Sequence, residues 1–191
     1  MSQIPGSPAG EPKGEESSPA PVPPSLEKRP GLQNLPKLSA DQASRKAKEL
    51  WEARQFEEAI RHFWVAFLED HNPAWCYYMG NIMLFELRQP AHALECYELS
   101  MKSGFADDCG VLGNRGVSLM ALQRHEEALD SLRTAMKLEP NCLVGTFLVE
   151  CYRKLGQPED AASMKSEVQK RDPGGEETMK ALKFLRAAGA R

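Results

Sequence analysis

Four alanines constrain this chain most: Ala59, Ala93, Ala128 and Ala161, spaced by 34, 35 and 33 residues. A near-constant period in this range marks a chain built by repeating one supersecondary unit. Each alanine lies on an apolar stripe of helical spacing. Ala59 runs with Ile60, Phe63, Trp64, Ala66 and Phe67, and Ala93 with Leu94, Tyr97 and Met101. Ala128 runs with Leu132 and Ala135, and Ala161 with Ala162, Met164 and Val168. A second stripe precedes each: Ala43, Ala47, Leu50 and Trp51; Trp75, Met79, Gly80 and Met83; Gly116 and Leu119; Leu148, Val149, Tyr152 and Leu155. Recurrence at i, i+3 and i+4 predicts helix in all eight segments. The chain therefore reads as four helix pairs. The repeated alanine is small because the two helices of a pair approach closely there. A larger side chain would force them apart, at about 1–3 kcal/mol.

The punctuation agrees with the pairs. Ser39 followed by Gln42 has the form of a capping box at the first helix start. Arg54-Gln55 makes the first turn, and His71-Asn72-Pro73 closes the first pair. Proline is tolerated at a helix start because its missing amide would be unpaired there anyway. The second pair turns at Gln89-Pro90. From Gly80 to Ala93 it holds one residue more than Gly116 to Ala128, which predicts a longer turn or a local bulge. Lys102-Ser103-Gly104-Phe105 ends this pair without a proline. Pro140 stops the third pair. In the fourth, Gly156 suits a left-handed helix end, Pro158 opens the next helix and Pro173 closes it. After Pro173-Gly174-Gly175 comes one more helix, Glu176 to about Ala188. Its stripe is Ala181, Phe184, Leu185 and Ala188, and its polar face carries Lys180, Lys183 and Arg186. Such an element covers the last apolar surface of a repeat array. A short docking helix for a partner is the alternative reading.

The most regular stretch, Gly110 to Pro140, resembles one tetratricopeptide repeat, whose pattern W-x2-L-G-x2-Y…A-x3-F…P runs over about 34 residues. The match departs at Lys46 and Ala47, where Leu and Gly are usual, and at Lys165, where an aromatic is usual. The resemblance implies an all-α, right-handed α-solenoid of four helix pairs, at about 39–72, 73–106, 108–141 and 142–173, within a folded span of 38–173. It makes 174–191 a capping helix. It further implies a groove, lined by the first helix of each pair, that holds an extended or helical peptide of another protein. Carried over, the groove would place Arg45, Lys48, Trp51, Tyr77, Tyr78, Asn81, Asn114, Val117, Phe147 and Glu150 at or near the partner. Aromatic side chains suit such a surface, since they offer large area at low entropy cost.

Co-chaperone members of the family grip the terminal carboxylate of heat-shock proteins with two Asn and several cations. On the second to fourth pairs, Asn81 and Asn114 match the two Asn. Tyr77, Leu143 and Phe147 stand where Lys or Arg is wanted. On the first to third pairs, Lys48 stands in place of the first Asn and Asn114 in place of an Arg. Without fixed cations a carboxylate lacks its charge-assisted hydrogen bonds, so this role is the disfavoured alternative. The expected function is that of a non-catalytic adaptor or scaffold, or of a subunit of a larger assembly.

Composition narrows the rest. Residues 1–36 hold nine of the 14 prolines, with much Ser, Gly and Glu. They offer too little apolar surface to offset ordering entropy, so a disordered tail is expected over 1–37. Pro19 to Pro24 is a weak match to an SH3 or WW ligand, because its basic residues, Lys28 and Arg29, come late. Ser7-Pro8 and Ser18-Pro19 have the form of proline-directed phosphorylation sites. The net charge of −3 argues against a nucleic-acid partner. No apolar run reaches the length of a membrane span, and the N-terminus lacks the form of a signal or transit peptide. A cytoplasmic address follows, with the nucleus as the alternative. Cys76, Cys96, Cys109, Cys142 and Cys151 form no CxxC pair, and His62, His71, His92 and His125 form no metal-binding spacing. The cysteines read as small buried hydrophobes, with a disulfide framework or a zinc site as the alternative, and no metal or cofactor is expected. No nucleophile or phosphate-loop motif occurs, and His125-Glu126-Glu127 reads as a helix start favoured by the dipole.

Overall fold

The computed structural model describes residues 37–189. The expected N-terminal tail, with its Pro19–Pro24 segment and its Ser-Pro pairs, lies outside the described residues, apart from Lys37. The described chain is helical, with no strand. It divides into two compact units, one ending at Ala106 and one beginning at Asp107.

The first unit holds two helix pairs. Helix α1 (Ala40–Glu52) starts with the expected capping box. Gln42 N donates to Ser39 Oγ at 3.3 Å, and Ser39 N donates to Gln42 Oε1 at 3.1 Å. Helix α2 (Phe56–Asp70) turns back on it, and the small residues Ala43, Ala47, Ala59 and Ala66 between them are fully buried. Helix α3 (Pro73–Asn81) follows, with Asn72 as its cap, accepting from Ala74 N at 2.9 Å. It runs on into a π-helical turn, Ile82–Glu86. Helix α4 (Pro90–Ser100) likewise ends in a π-helical turn, Met101–Phe105, in the stretch that lacks a terminating proline. Ser100 Oγ donates to the Pro73 carbonyl at 2.8 Å inside this pair.

The second unit holds two more pairs and a final helix. Helices α5 (Cys109–Ala121) and α6 (His125–Leu138) form the third pair; α7 (Cys142–Lys154) and α8 (Pro158–Arg171) form the fourth. Asp108 and Asn141 cap α5 and α7, accepting from Val111 N and Val144 N at 2.8 Å each. Helix α9 (Glu176–Ala188) comes last. Its start is held by Asp172 Oδ2, which accepts from both the amide and the hydroxyl of Thr178 at 2.8 Å.

The turn inside each pair is the same device. Arg54, Arg88, Gln123 and Gly156 occupy the left-handed region at φ 60°, 55°, 62° and 68°. The next amide then bonds back across the helix end, as a Schellman-type closure requires. Gln55 N donates to Leu50 O, Arg124 N to Leu119 O and Gln157 N to Tyr152 O, each five residues back. In the second pair Gln89 N donates to Met83 O, six residues back, at 2.7 Å. The extra residue counted between Gly80 and Ala93 is thus absorbed in the π-helical turn before the same closure.

Candidate functional site

In the first unit, Phe63 of α2 is fully buried and carries a shelf of aromatic rings. Tyr78 and Trp75 of α3 stack against it at centroid distances of 5.4 and 6.1 Å. Trp51, at the end of α1, meets its edge at 6.3 Å and meets Tyr78 at 6.1 Å. Spacings of this size are those of favourable aromatic pairs. Trp51, Trp75 and Tyr78 are each half-buried, so part of each ring faces solvent. Trp75 is fixed in place by its indole N–H, which donates to Asp70 Oδ1 at 2.9 Å.

One turn before Trp51, Lys48 lays its ammonium 5.6 Å from the Trp75 ring and 5.9 Å from the Tyr78 ring. That is within cation–π range. Arg45 stands one turn earlier still, exposed, and pairs with Asp41 on its own helix. Lys48, Trp51 and Tyr78 thus come together from two first helices, with Arg45 beside them. Trp75 belongs to the same shelf, although it is not among the residues expected at the groove. Its signal was present, because it lies three residues before Tyr78 and so on the same side of α3. Chemically the shelf offers flat apolar area with the Lys48 ammonium over it, the Asp41-paired Arg45 one turn away and the Asp70 carboxylate at the Trp75 end, and the Lys48 side suits an apolar or aromatic side chain next to an acidic one.

The other candidates are less accessible. Tyr77, Val117 and Phe147 are 1%, 0% and 0% exposed. They are core residues, where a groove wall was expected. Tyr77 packs with Tyr97 and Tyr78, at 6.2 and 5.7 Å. Asn81 is buried and its Oδ1 accepts from Tyr97 Oη at 2.8 Å, which ties α3 to α4. Asn114 is buried too, and its carbonyl accepts from Ser118 Oγ at 2.9 Å. Glu150 is half-buried on α7 and accepts from Arg153 Nη1 at 2.6 Å. It lines a cleft of about 340 Å³ between α7, the end of α8 and α9. Phe147 is covered by Phe184 of α9, stacked at 5.8 Å and 15°.

All five cysteines are free. Burial pushes the Cys76 thiol well up, raises Cys109 and Cys142, and lifts Cys151 to about 11, so none of these four is poised as a thiolate. No three metal-ligating side chains converge among the described residues. No helix among them is long and apolar enough to cross a membrane.

Residues 109–142, which are α5, α6 and the entry to α7, match the family model of the tetratricopeptide repeat. No curated protein sequence matches the chain. Solved structures share the fold at low identity. MamA AMB-1 is 18% identical, with a TM-score of 0.63 over 71% of this chain and 74% of that one. MamA of Desulfovibrio magneticus RS-1 is 15% identical, with a TM-score of 0.64 over 72% and 77%. The first TPR of Spaghetti (RPAP3), solved bound to the HSP90 peptide SRMEEVD, is 23% identical, with a TM-score of 0.56 over 61% of this chain and 95% of that one. By sequence the chain carries one tetratricopeptide repeat, at residues 109–142, and over most of its described residues it shares the fold of solved tetratricopeptide-repeat structures.

Proposed function

We propose that this protein is a non-catalytic adaptor that binds a peptide or helix of another protein on the first-helix faces of its repeats. The cytoplasm is its proposed place of work, with the nucleus as the alternative. The observation that carries the reading is the shelf on α1 and α3. Lys48, Trp51, Trp75 and Tyr78 converge there with solvent-facing ring area, and exposed Arg45 stands beside them. Partly exposed aromatics flanked by cations are favoured anchors for a protein partner. A segment with an apolar or aromatic anchor next to Asp or Glu would complement them. The test is affinity capture on the full-length chain, wild type against Arg45→Glu with Lys48→Glu. Both side chains are exposed, so the change leaves the core alone. The main captured partner should be lost with the melting temperature held within about 3 °C. Undiminished capture would refute the shelf as the site.

The alternative is a heat-shock co-chaperone, which the RPAP3 domain's bound HSP90 peptide brings to mind. The residues here speak against it. Tyr77, Leu143 and Phe147 occupy positions where the clamp needs cations, and Tyr77 and Phe147 are sealed in the core. The peptide SRMEEVD should show no carboxylate-dependent binding to this chain. Binding that is lost when its terminal carboxylate is amidated would favour the co-chaperone reading instead.

A further inference from the structure

Helix α9 does not continue the stack. Within the units, each new pair sets its first helix on the preceding pair's second helix: α3 on α2, and α7 on α6. Helix α9 follows α8, yet its main packing is on α7, and it reaches α5. Both are first helices. Its apolar stripe, Ala181, Leu185 and Ala188, is buried, and Phe184 stacks on Phe147. The outward side of α8 gives little reason for a cover. Glu159, Asp160, Ser163, Lys165, Ser166, Gln169 and Lys170 keep it polar and exposed. The cover is partial at the start of the helix: Asp172 pins Thr178 there, but Met179 is 65% exposed and Leu182 borders the cleft beside Glu150 and Arg153. The tether is Pro173-Gly174-Gly175, with Gly175 at φ 73°.

We infer that α9 is a resident ligand of the α5–α7 first-helix face. In exchange for it, this face takes an amphipathic helix that presents an aromatic side chain to Phe147. The inference rests on the proposed reading of first-helix faces as binding surfaces. The chemistry of the incoming helix is that of α9 itself. It has small residues at the spacing of Ala181 and Ala188, an aromatic at the place of Phe184, a leucine beside it and basic residues facing water. A three-residue tether holds α9 at an effective concentration on the order of mM, so an outside helix competes poorly until α9 is weakened.

The experiment uses the full-length chain and a fluorescent peptide of residues 175–191 as probe, read by anisotropy. Wild type is compared with a chain whose own α9 carries Phe184→Ala and Leu185→Ala. Hydrogen exchange of α5–α8 monitors the fold. The weakened chain should bind the probe at least about tenfold more tightly than wild type, and a probe bearing Phe184→Ala should lose that gain. The inference is overturned if the weakened chain binds no better than wild type. It is equally overturned if α5–α8 lose protection, because α9 is then a fixed wall of the unit. The probe comes from the chain itself and the site lies in the second unit. A negative result therefore leaves the Arg45–Lys48 shelf standing, and loss of the shelf leaves this test readable.

Discussion

Glycine serves two separate purposes in these repeats, and one substitution distinguishes them. A Cβ on Gly116 of α5 would lie 2.6 Å from Leu132 Cγ and Cδ2 of α6, so the close approach of the third pair depends on its absence. A Cβ on Gly156 would meet nothing within 4 Å, but that residue sits at φ 68°. Gly116→Ala should therefore cost about 1–3 kcal/mol by overpacking, and Gly156→Ala about 1 kcal/mol by backbone strain alone. Urea unfolding checks both. Leu132→Ala is itself costly because the side chain is fully buried, but in that background Gly116→Ala should cost less than in wild type, while the cost of Gly156→Ala should be unchanged. Gln123 carries the same left-handed strain without being glycine. Gln123→Gly should raise stability by up to about 1 kcal/mol, less whatever the freer unfolded chain takes back.

At the level of elements, the second pair's irregularity is one residue wide. The closing bond from Gln89 N to Met83 O already joins the positions that pair in the third repeat, Arg124 and Leu119, with one residue extra between them. Deleting Glu86, an exposed residue that pairs with Arg54 at 3.6 Å, should turn the π-helical turn into ordinary helix. The cost should be about 1 kcal/mol or less, within about 4 °C in melting temperature. Collapse on deletion would mean that the π turn is needed for packing. The start of α9 has its own pH dependence. The backbone amide of Thr178, bonded to Asp172, holds that carboxyl below its usual value, and the Thr178 hydroxyl adds to the effect. A depressed folded-state pKa means that the stabilisation is complete above the ordinary carboxylate range and is lost as pH falls through the lowered value. Exchange of the Thr178 amide should therefore gain, on acidification, beyond its intrinsic rate. Asp172→Asn should abolish that pH dependence.

Across the whole molecule, the fold was legible because it is written four times. Apolar stripes at helical spacing, the small residues at Ala59, Ala93, Ala128 and Ala161, and the Ser39 cap are local signals, and repetition set their register. Even the π turn announced itself as a one-residue excess. The site was legible only in part. Lys48, Trp51 and Tyr78, three of the residues that the resemblance set at the groove, lie together. Which neighbours are exposed depends on what packs over them. Tyr77 and Tyr78 are adjacent and chemically alike, yet one is buried under Tyr97 and the other faces water on one side. Phe147, which the resemblance set at the groove, is covered by Phe184, from a helix that sequence alone could assign only as a cap or a docking segment.

The chain has three tryptophans, and they divide usefully. Trp51 and Trp75 belong to the shelf, while Trp64 is a core residue, 4% exposed. Indole N–H resonances of the full-length protein, followed while the captured partner is titrated in, test the central claim most directly. The account predicts that the Trp51 and Trp75 signals shift in proportion to occupancy while Trp64 stays in place. Saturating binding that leaves both Trp51 and Trp75 unmoved would contradict it.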